Sequence, residues 1–326
     1  MTLQSRLVMA VVRCFIYLRH PRLIKRYVSR MGYFPDPALP RRSTEKYLWR
    51  KLFDHDPRIV RLTDKLAAKE YLRDKFPDVA VAPVLWQGDN AADIPDEVLQ
   101  RDCVIKTNHG SGMLWFVRDG NIDRAAMEKQ FSKWMQLRYG KRHHEWAYGQ
   151  IKPKLFVEEM LLSGEDRVNR DYKMYMCGDR LVYCYVCFDS LSENESYGLL
   201  DGDGSSIENN LGQPIDEYKH MQRPQNWEAL LDTAKRLSSD FDHVRCDLHD
   251  IDGQIWFSEF TFYPMAGYEE LDWFDEPKRC DDKWDIMKSW FLQSTHRGWR
   301  DRYARALQEA LNDGPNCNSH SDYAQH

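Results

Sequence analysis

The sequence predicts an α+β fold built on antiparallel sheets, and three observations carry that reading. Strand-like runs crowd the middle of the chain, while helical periodicity occupies both ends. The middle runs are joined by short turn signals, Gly110-Ser111-Gly112, Gly178-Asp179 and Asp252-Gly253, which favour hairpins. No internal repeat breaks this order.

Taken in order, residues 1–60 read as helical and basic, with a break at Phe34-Pro35-Asp36-Pro37. Arg61 to Phe76 reads as a helix capped by Thr63 or Asp64 and ended by Pro77 and Pro83. After the short apolar run VAPVLW comes a strand over Cys103–Thr107, the loop Asn108–Gly112 and a second strand over Met113–Arg118. Residues 123–139 form a helix with Asp123 as N-cap and Met127, Phe131, Trp134 and Met135 on one face. Lys154–Met160 reads as a strand, and Tyr172–Cys177 with Arg180–Phe188 as a hairpin. Residues 190–222 are polar and glycine-rich, which suits a mobile loop over a site. Pro224–Ser239 is a helix whose stripe is Trp227, Leu230, Leu231, Ala234 and Leu237. His243–His249 and Gln254–Tyr263 form another hairpin, Trp284–Leu311 is helical, and a polar tail expected to be disordered closes the chain.

Composition narrows the function classes. The chain has 326 residues, 42% hydrophobic and 30% charged, enough for a packed core around a shared cleft. A net charge of −5 gives no global signature for nucleic acid. Eight cysteines sit mostly inside apolar runs, as reduced buried thiols do, and point to a cytoplasmic protein. Cys184 and Cys187 are spaced as C-x-x-C, but strand alternation sends them to opposite faces, against a zinc or redox site. The first twenty residues are apolar but interrupted by Arg13 and lack a small-residue cleavage site. They read as an amphipathic helix packed on the domain, with peripheral membrane association through residues 1–30 as the second reading.

Three constellations could carry chemistry. Lys106 lies on an apolar strand just before Asn108-His109-Gly110-Ser111-Gly112. Glycines let backbone amides converge on an anion, and the lysine adds a charge for phosphate; a plain hairpin turn with an incidental lysine is the alternative. Asp252-Gly253 folds Asp247 against Glu259 on adjacent strands, within one residue of register, with Arg245 and Thr261 on the same face. Two carboxylates side by side in so apolar a setting repel unless a cation lies between them, and an all-oxygen pair suits Mg2+; the alternative has both facing solvent. Glu158, Glu159 and Glu165 follow a strand into a loop and could accept hydrogen bonds from an adenine amine and ribose hydroxyls. Lys173 alternates with apolar positions of its strand and faces either a phosphate or solvent.

In order, LTDKLAAKEYLRD (62–74), VIKTNHGSG (104–112), the tryptophan-bearing helix (123–139), KPKLFVEEML (152–161), DYKMYMCGDR (171–180) and HVRCDLHDIDGQIWFSEFTF (243–262) resemble the ATP-grasp superfamily. They look most like its teichuronopeptide-biosynthesis, TupA-like branch. The resemblance implies two α+β subdomains whose antiparallel sheets clamp ATP, with helical N- and C-terminal additions. The implied division is 1–60 helical and basic, 61–160 the N-terminal and lid subdomains, 161–280 the C-terminal subdomain with the metal site, and 281–326 helices and tail. It implies Lys106 and Lys173, with Lys69, at the nucleotide phosphates, and His109, Gly110, Ser111 and Gly112 as the loop closing over them. Glu158 and Glu159 fall at the adenine linker and Glu165 at the ribose. Asp247, Glu259 and Thr261 fall at the magnesium. Thr261 stands where many ATP-grasp ligases carry an asparagine. Arg245 matches an arginine that steadies the reacting acyl group, so Arg245, Lys106 and Lys173 are the catalytic candidates.

The implied reaction is ATP- and Mg2+-dependent amide formation through an acyl phosphate. Its implied substrates are a uronic-acid-type sugar of a cell-surface polysaccharide and an amino acid or small amine. The alternatives are a kinase acting on a sugar hydroxyl and a glycosyltransferase, whose Asp-x-Asp pattern is formally met by Asp201-Gly-Asp203 and Asp250-Ile-Asp252.

Overall fold

The computed structural model describes residues 1–161, 170–188, 196–208, 218–268 and 276–313. They fall into two compact units, Met1–His55 with Pro264–His326, and Asp56–Tyr263. The helices in chain order are α1 (Leu3–Arg19), α2 (Pro21–Met31), α3 (Ser43–Leu52), α4 (Pro57–Thr63), α5 (Lys65–Lys75), α6 (Arg124–Met135), α7 (Trp227–Ser238), α8 (Glu276–Lys283), α9 (Trp290–Gln293) and α10 (Trp299–Asn312). The strands are β1 (Ala80–Val81), β2 (Val84–Gly88), β3 (Cys103–Thr107), β4 (Leu114–Val117), β5 (Leu155–Glu159), β6 (Arg170–Cys177), β7 (Arg180–Phe188), β8 (Ser196–Leu200), β9 (Val244–Ile251) and β10 (Gln254–Thr261).

The first unit is helical. α1 packs on α10, burying Met9, Val12 and Ile16. Trp49, Phe53, Phe291 and Tyr303 make an aromatic cluster behind them. Trp49 Nε1 donates to the Tyr303 hydroxyl at 2.8 Å, and that hydroxyl donates to the Ala38 carbonyl at 3.0 Å, so the buried polar ends of both rings are satisfied. The helical run expected over Trp284–Leu311 is in fact broken between α9 and α10, where Gly298 takes a positive φ of 63°.

The second unit holds two mostly antiparallel sheets. One has the order β1-β10-β9-β6-β7-β8, the other β2-β5-β3-β4. One face of the six-stranded sheet carries Met174, Cys184, Cys246, Leu248 and Phe257 into a core with α7, α4 and α5. One face of the four-stranded sheet carries Ile105, Val117, Leu155 and Val157 onto Met127 and Phe131 of α6. The opposite faces carry the charged residues described below, set among apolar neighbours such as Val104 and Phe156. Cys184 and Cys187 are both buried free thiols on successive faces of β7, as alternation requires.

Local rules place the hairpins. Asp252 and Gly253 both take positive φ, 51° and 91°, the geometry of a tight two-residue turn that matches strand twist. The helix expected over Arg61–Phe76 is two helices: Asp64 turns extended and accepts from the Leu66 and Ala67 amides, starting α5 afresh. The loop expected over 190–222 contains a strand, β8, paired with β7 through Cys187↔Tyr197. Part of that loop, Glu165 and the tail after Asp313 lie outside the described residues.

Candidate functional site

The polar face of the six-stranded sheet is built in rows. Lys173 on β6 stands opposite Asp247 on β9, and Asp247 stands opposite Glu259 on β10. The next row runs Tyr175, Arg245, Thr261, and the row on the other side pairs Asp171 with His249. A bulge makes this work. Phe257 pairs with Leu248, yet Glu259 pairs with Asp247, so Ser258 and Glu259 together oppose one residue. In unbroken register Ser258 would oppose Asp247, and Glu259 would turn into the aromatic core.

Arg245 holds Asp247 in a two-pronged contact, Nε to Oδ1 and Nη2 to Oδ2, each 2.7 Å. The same Nη2 donates to Thr261 Oγ1 at 3.1 Å and lies 3.6 Å from Glu259 Oε1. Burial raises the Asp247 carboxyl above its ordinary range, against the pull of Arg245. Burial works the same way on Glu259, but Lys65 and then Arg245 overcome it and hold that carboxyl at about 2. Neighbouring carboxylates with pKa values driven apart are a mark of functional sites.

The polar face of the four-stranded sheet presents a second cluster. Lys106 on β3 and Glu158 on β5 are diagonal neighbours, and Lys106 Nζ pairs with Glu158 Oε1. Lys69 from α5 reaches the other oxygen at 2.8 Å. Burial would raise Glu158; Lys106 and Lys69 outweigh it and hold the carboxyl at about 2. Lys69, the deeper lysine, is pushed down by burial despite Glu158. Burial also opposes the charge of Lys106, but Glu158, Glu259 and Asp171 keep its pKa raised. Alternation along β5 sends Glu159 to the opposite face, away from these lysines.

Helix α5 connects the two clusters. Lys65 and Lys69 lie four residues apart, on one helix face. Lys69 serves Glu158, while Lys65 reaches Glu259 Oε2 at 2.9 Å and the Gly110 carbonyl at 2.7 Å. The glycine loop is fixed at its root by Asn108, whose side chain donates to Asp64 Oδ2 at 2.9 Å and accepts from the Lys154 amide at 2.7 Å. A Cβ on Gly110 would fall 3.0 Å from a Tyr139 ring carbon and 1.9 Å from Met113 Cε, so the loop packs closely against those two side chains. Gly112 takes φ 70°, a conformation that glycine supplies without strain. Burial lowers the pKa of His109, whose ring Nε2 lies 3.3 Å from the Trp134 carbonyl. Ser111 sits against the Tyr139 hydroxyl.

The structure therefore brings together Lys69, Lys106, Glu158, Lys173, Arg245, Asp247, Glu259, Thr261 and the Gly110 backbone, and leaves the His109 ring and Glu159 aside. Lys65, Asp171 and His249 are partners that sequence reasoning passed over. Asp171 lies 3.0 Å from His249 Nδ1, and burial notwithstanding, that contact lowers the Asp171 pKa. The signals were present: Lys65 is one helical turn before Lys69, and Asp171 alternates with Lys173. Among the described residues Lys173 forms no ion pair; its ammonium lies 5.5 Å from the Tyr185 ring centre. Both Asp-x-Asp motifs serve turns instead. Asp203 Oδ1 accepts from the Ser205 amide, and Asp250 accepts from Gly253 and Asn226.

Five cations face four carboxylates here, so the site has a positive balance that suits a polyanion. Among the described residues no three His, Cys, Asp or Glu side chains gather as a self-sufficient metal cage. Asp247 and Glu259 instead offer a pair of hard oxygen donors, the set that suits Mg2+ shared with phosphates and water.

No curated protein matches the sequence. Among solved structures, the ATP-grasp ligase PsnB with its minimal precursor aligns at 13% identity and TM-score 0.38, over 68% of this chain and 57% of that one. PsnB with a phosphomimetic precursor variant, Mg and ADP aligns at 15% and 0.39, over 69% and 56%. The D-alanine–D-alanine ligase of Bacillus anthracis with ATP aligns at 16% and 0.36, over 78% and 69%. This chain thus spans less than two thirds of the length of the two PsnB chains. The profile described as TupA-like ATPgrasp matches residues 45–281, a stretch that takes in both sheets, α5, the glycine loop and the paired carboxylates, and on that match the chain belongs to the TupA-like ATP-grasp family.

Proposed function

We propose that the protein is an ATP-dependent carboxylate–amine ligase. The observation that carries the reading is the facing pair Asp247 and Glu259, with Arg245 bound to the first and Lys65 paired with the second. Asp247 and Glu259 would hold Mg2+, with the Thr261 hydroxyl beside them; bound there, the ion would neutralise charge on the nucleotide's terminal phosphates. Lys106 and Lys173 would supply charge to the phosphates, with Lys69 held on Glu158 behind them, and the Gly110–Gly112 backbone would cover the phosphates. The adenine would lie at the strand end after Glu158, as the resemblance implies. Arg245 would swing from Asp247 to the substrate carboxylate, orienting it and steadying negative charge as its oxygen takes the γ-phosphoryl group. An amine then displaces phosphate from that acyl phosphate, leaving an amide. Positioning and charge neutralisation supply the rate in such a scheme.

The acyl substrate is proposed to be a uronic-acid-type sugar of a surface polysaccharide, and the amine an amino acid or small amine, with the reaction on the cytoplasmic side where ATP is. The test is ADP release from Mg2+ and ATP with a panel of carboxylated sugars and amines, followed by product mass. Release that requires both, with an amide product, is expected. Amine-independent phosphorylation of a sugar hydroxyl would replace the ligase with a kinase. The turn roles of both Asp-x-Asp motifs weigh against a glycosyltransferase.

A further inference from the structure

α1 is apolar on two sides. Its inner stripe, Met9, Val12 and Ile16, is buried against its own unit. Its outer stripe is Leu3, Leu7, Val11, Phe15 and Leu18, and all five are exposed, Leu3 at 84% and Leu18 at 83%. Steps of four, four, four and three residues keep them on one helix face. Ala10 and Cys14 fill the same exposed arc. Trp299 extends the patch: it is half exposed, and its ring lies 6.4 Å from that of Phe15. Soluble proteins rarely leave so continuous an apolar surface without a partner.

The surrounding charge indicates which partner. Residues 1–35 contain seven Lys or Arg and no Asp or Glu, in a chain of net charge −5. Arg6 and Arg19 border the stripe, and Arg22, Lys25 and Arg30 are exposed on α2, which follows α1 after one residue. Beside Trp299, Arg297, Arg300 and Arg302 are exposed as well. Among the described residues no helix is long and apolar enough to cross a membrane, so α1 does not span one.

We propose that the outer face of α1, with Trp299, docks flat on an anionic phospholipid surface. The apolar side chains enter the headgroup boundary and the flanking arginines and lysine meet lipid phosphates, the arrangement of an interfacial helix. A second copy of the chain would not fit as well, because it would set two strongly basic borders against each other. The proposal is independent of the ligase reading.

The test is co-sedimentation of the full chain with vesicles of phosphatidylcholine alone or mixed with phosphatidylglycerol. Binding is expected only with phosphatidylglycerol, and should fall with added salt. The double variant Leu7→Glu, Phe15→Glu should lose binding while keeping its circular dichroism. Arg22→Gln and Lys25→Gln, both on exposed positions, should each weaken binding about fivefold. The proposal is overturned if the wild type stays in solution with phosphatidylglycerol vesicles, or if it binds pure phosphatidylcholine equally well. It is also overturned if the stripe variant converts a dimer to a monomer with vesicle binding intact. Should the stripe variant misfold, the two charge variants decide, and unchanged binding in both overturns it.

Discussion

Glu158 and Glu259 form a natural comparison. Each lies on one of the two sheets, each is reached by a lysine of α5, and each is held at about 2. Their surroundings differ. Glu158 is buried, and its two oxygens are divided between Lys69 and Lys106. Its charge is answered within the fold. Glu259 keeps 22% of its side chain exposed and shares its neighbourhood with a second carboxylate, a hydroxyl and an arginine that is also engaged elsewhere. The first carboxylate is a fixed strut and the second, on the proposed reading, an exchangeable one, and the difference comes from what lies next to each rather than from the glutamate itself.

The sharpest way to break that comparison is to neutralise each side in turn. Asp247→Asn and Glu259→Gln should reduce ADP release by roughly a thousandfold, the scale of losing a preorganised electrostatic contact. Asp247→Asn should leave the melting temperature near that of the parent, because burial and the neighbouring Glu259 already disfavour its charge, whereas Glu259→Gln should lower it modestly, since Lys65 and Arg245 favour that charge. A large fall in melting temperature with Asp247→Asn would make that carboxylate structural. Glu158→Gln should do the reverse. It leaves two lysines without their shared counter-charge, and urea titration should show a loss of about 3 kcal/mol.

The same strut has a pH signature. Its folded pKa lies below the ordinary 4.5, so its contribution is present above pH 4.5 and disappears as pH falls toward about 2. The size is about 3 kcal/mol for a carboxylate shifted this far. Urea titrations between pH 3 and 6 should show a shallower acid slope in Glu158→Gln than in the parent. Equal slopes would mean that the lysines do not hold Glu158 as described.

A smaller effect separates the two lysines of α5. Lys65→Met removes one charge-assisted contact at the exchangeable site and should lower kcat/KM for ATP about tenfold, on the scale of about 1.5 kcal/mol. Lys69→Met should leave turnover closer to the parent and appear in stability. Reversed results would assign the strut to the wrong sheet.

These distinctions were only partly legible in the sequence. The antiparallel class, the Asp252-Gly253 turn and the α6 stripe follow from local chemistry and were readable at once. The facing of Asp247 and Glu259 was readable only to within one residue, because the turn fixes register and the bulge then changes it. A trace of the bulge does exist: Phe257, Phe260 and Phe262 are all buried, at spacings of three and then two. A strand without a bulge would show two and two. Glu158 and Glu159 could not be told apart, since adjacent glutamates at the end of a strand differ only in which face the sheet buries. Lys65 was passed over because its importance depends on a tertiary contact four residues from the lysine that drew notice. The first twenty residues read as an apolar, interrupted helix, but only packing reveals that the inner stripe alone satisfies its own unit and leaves an outer one exposed.

The bulge has one more consequence. Ser258 is the surplus residue opposite Asp247, so its deletion would let β10 run straight from Phe257 to Glu259 with each cross-strand partner kept. Loss of a residue between the bulge and Thr261 would instead reverse the facing of whatever follows it. Length variation among related chains is therefore tolerable at this one point beside Asp247 and Glu259, and an alignment that places a gap at Ser258 keeps the two carboxylates facing each other.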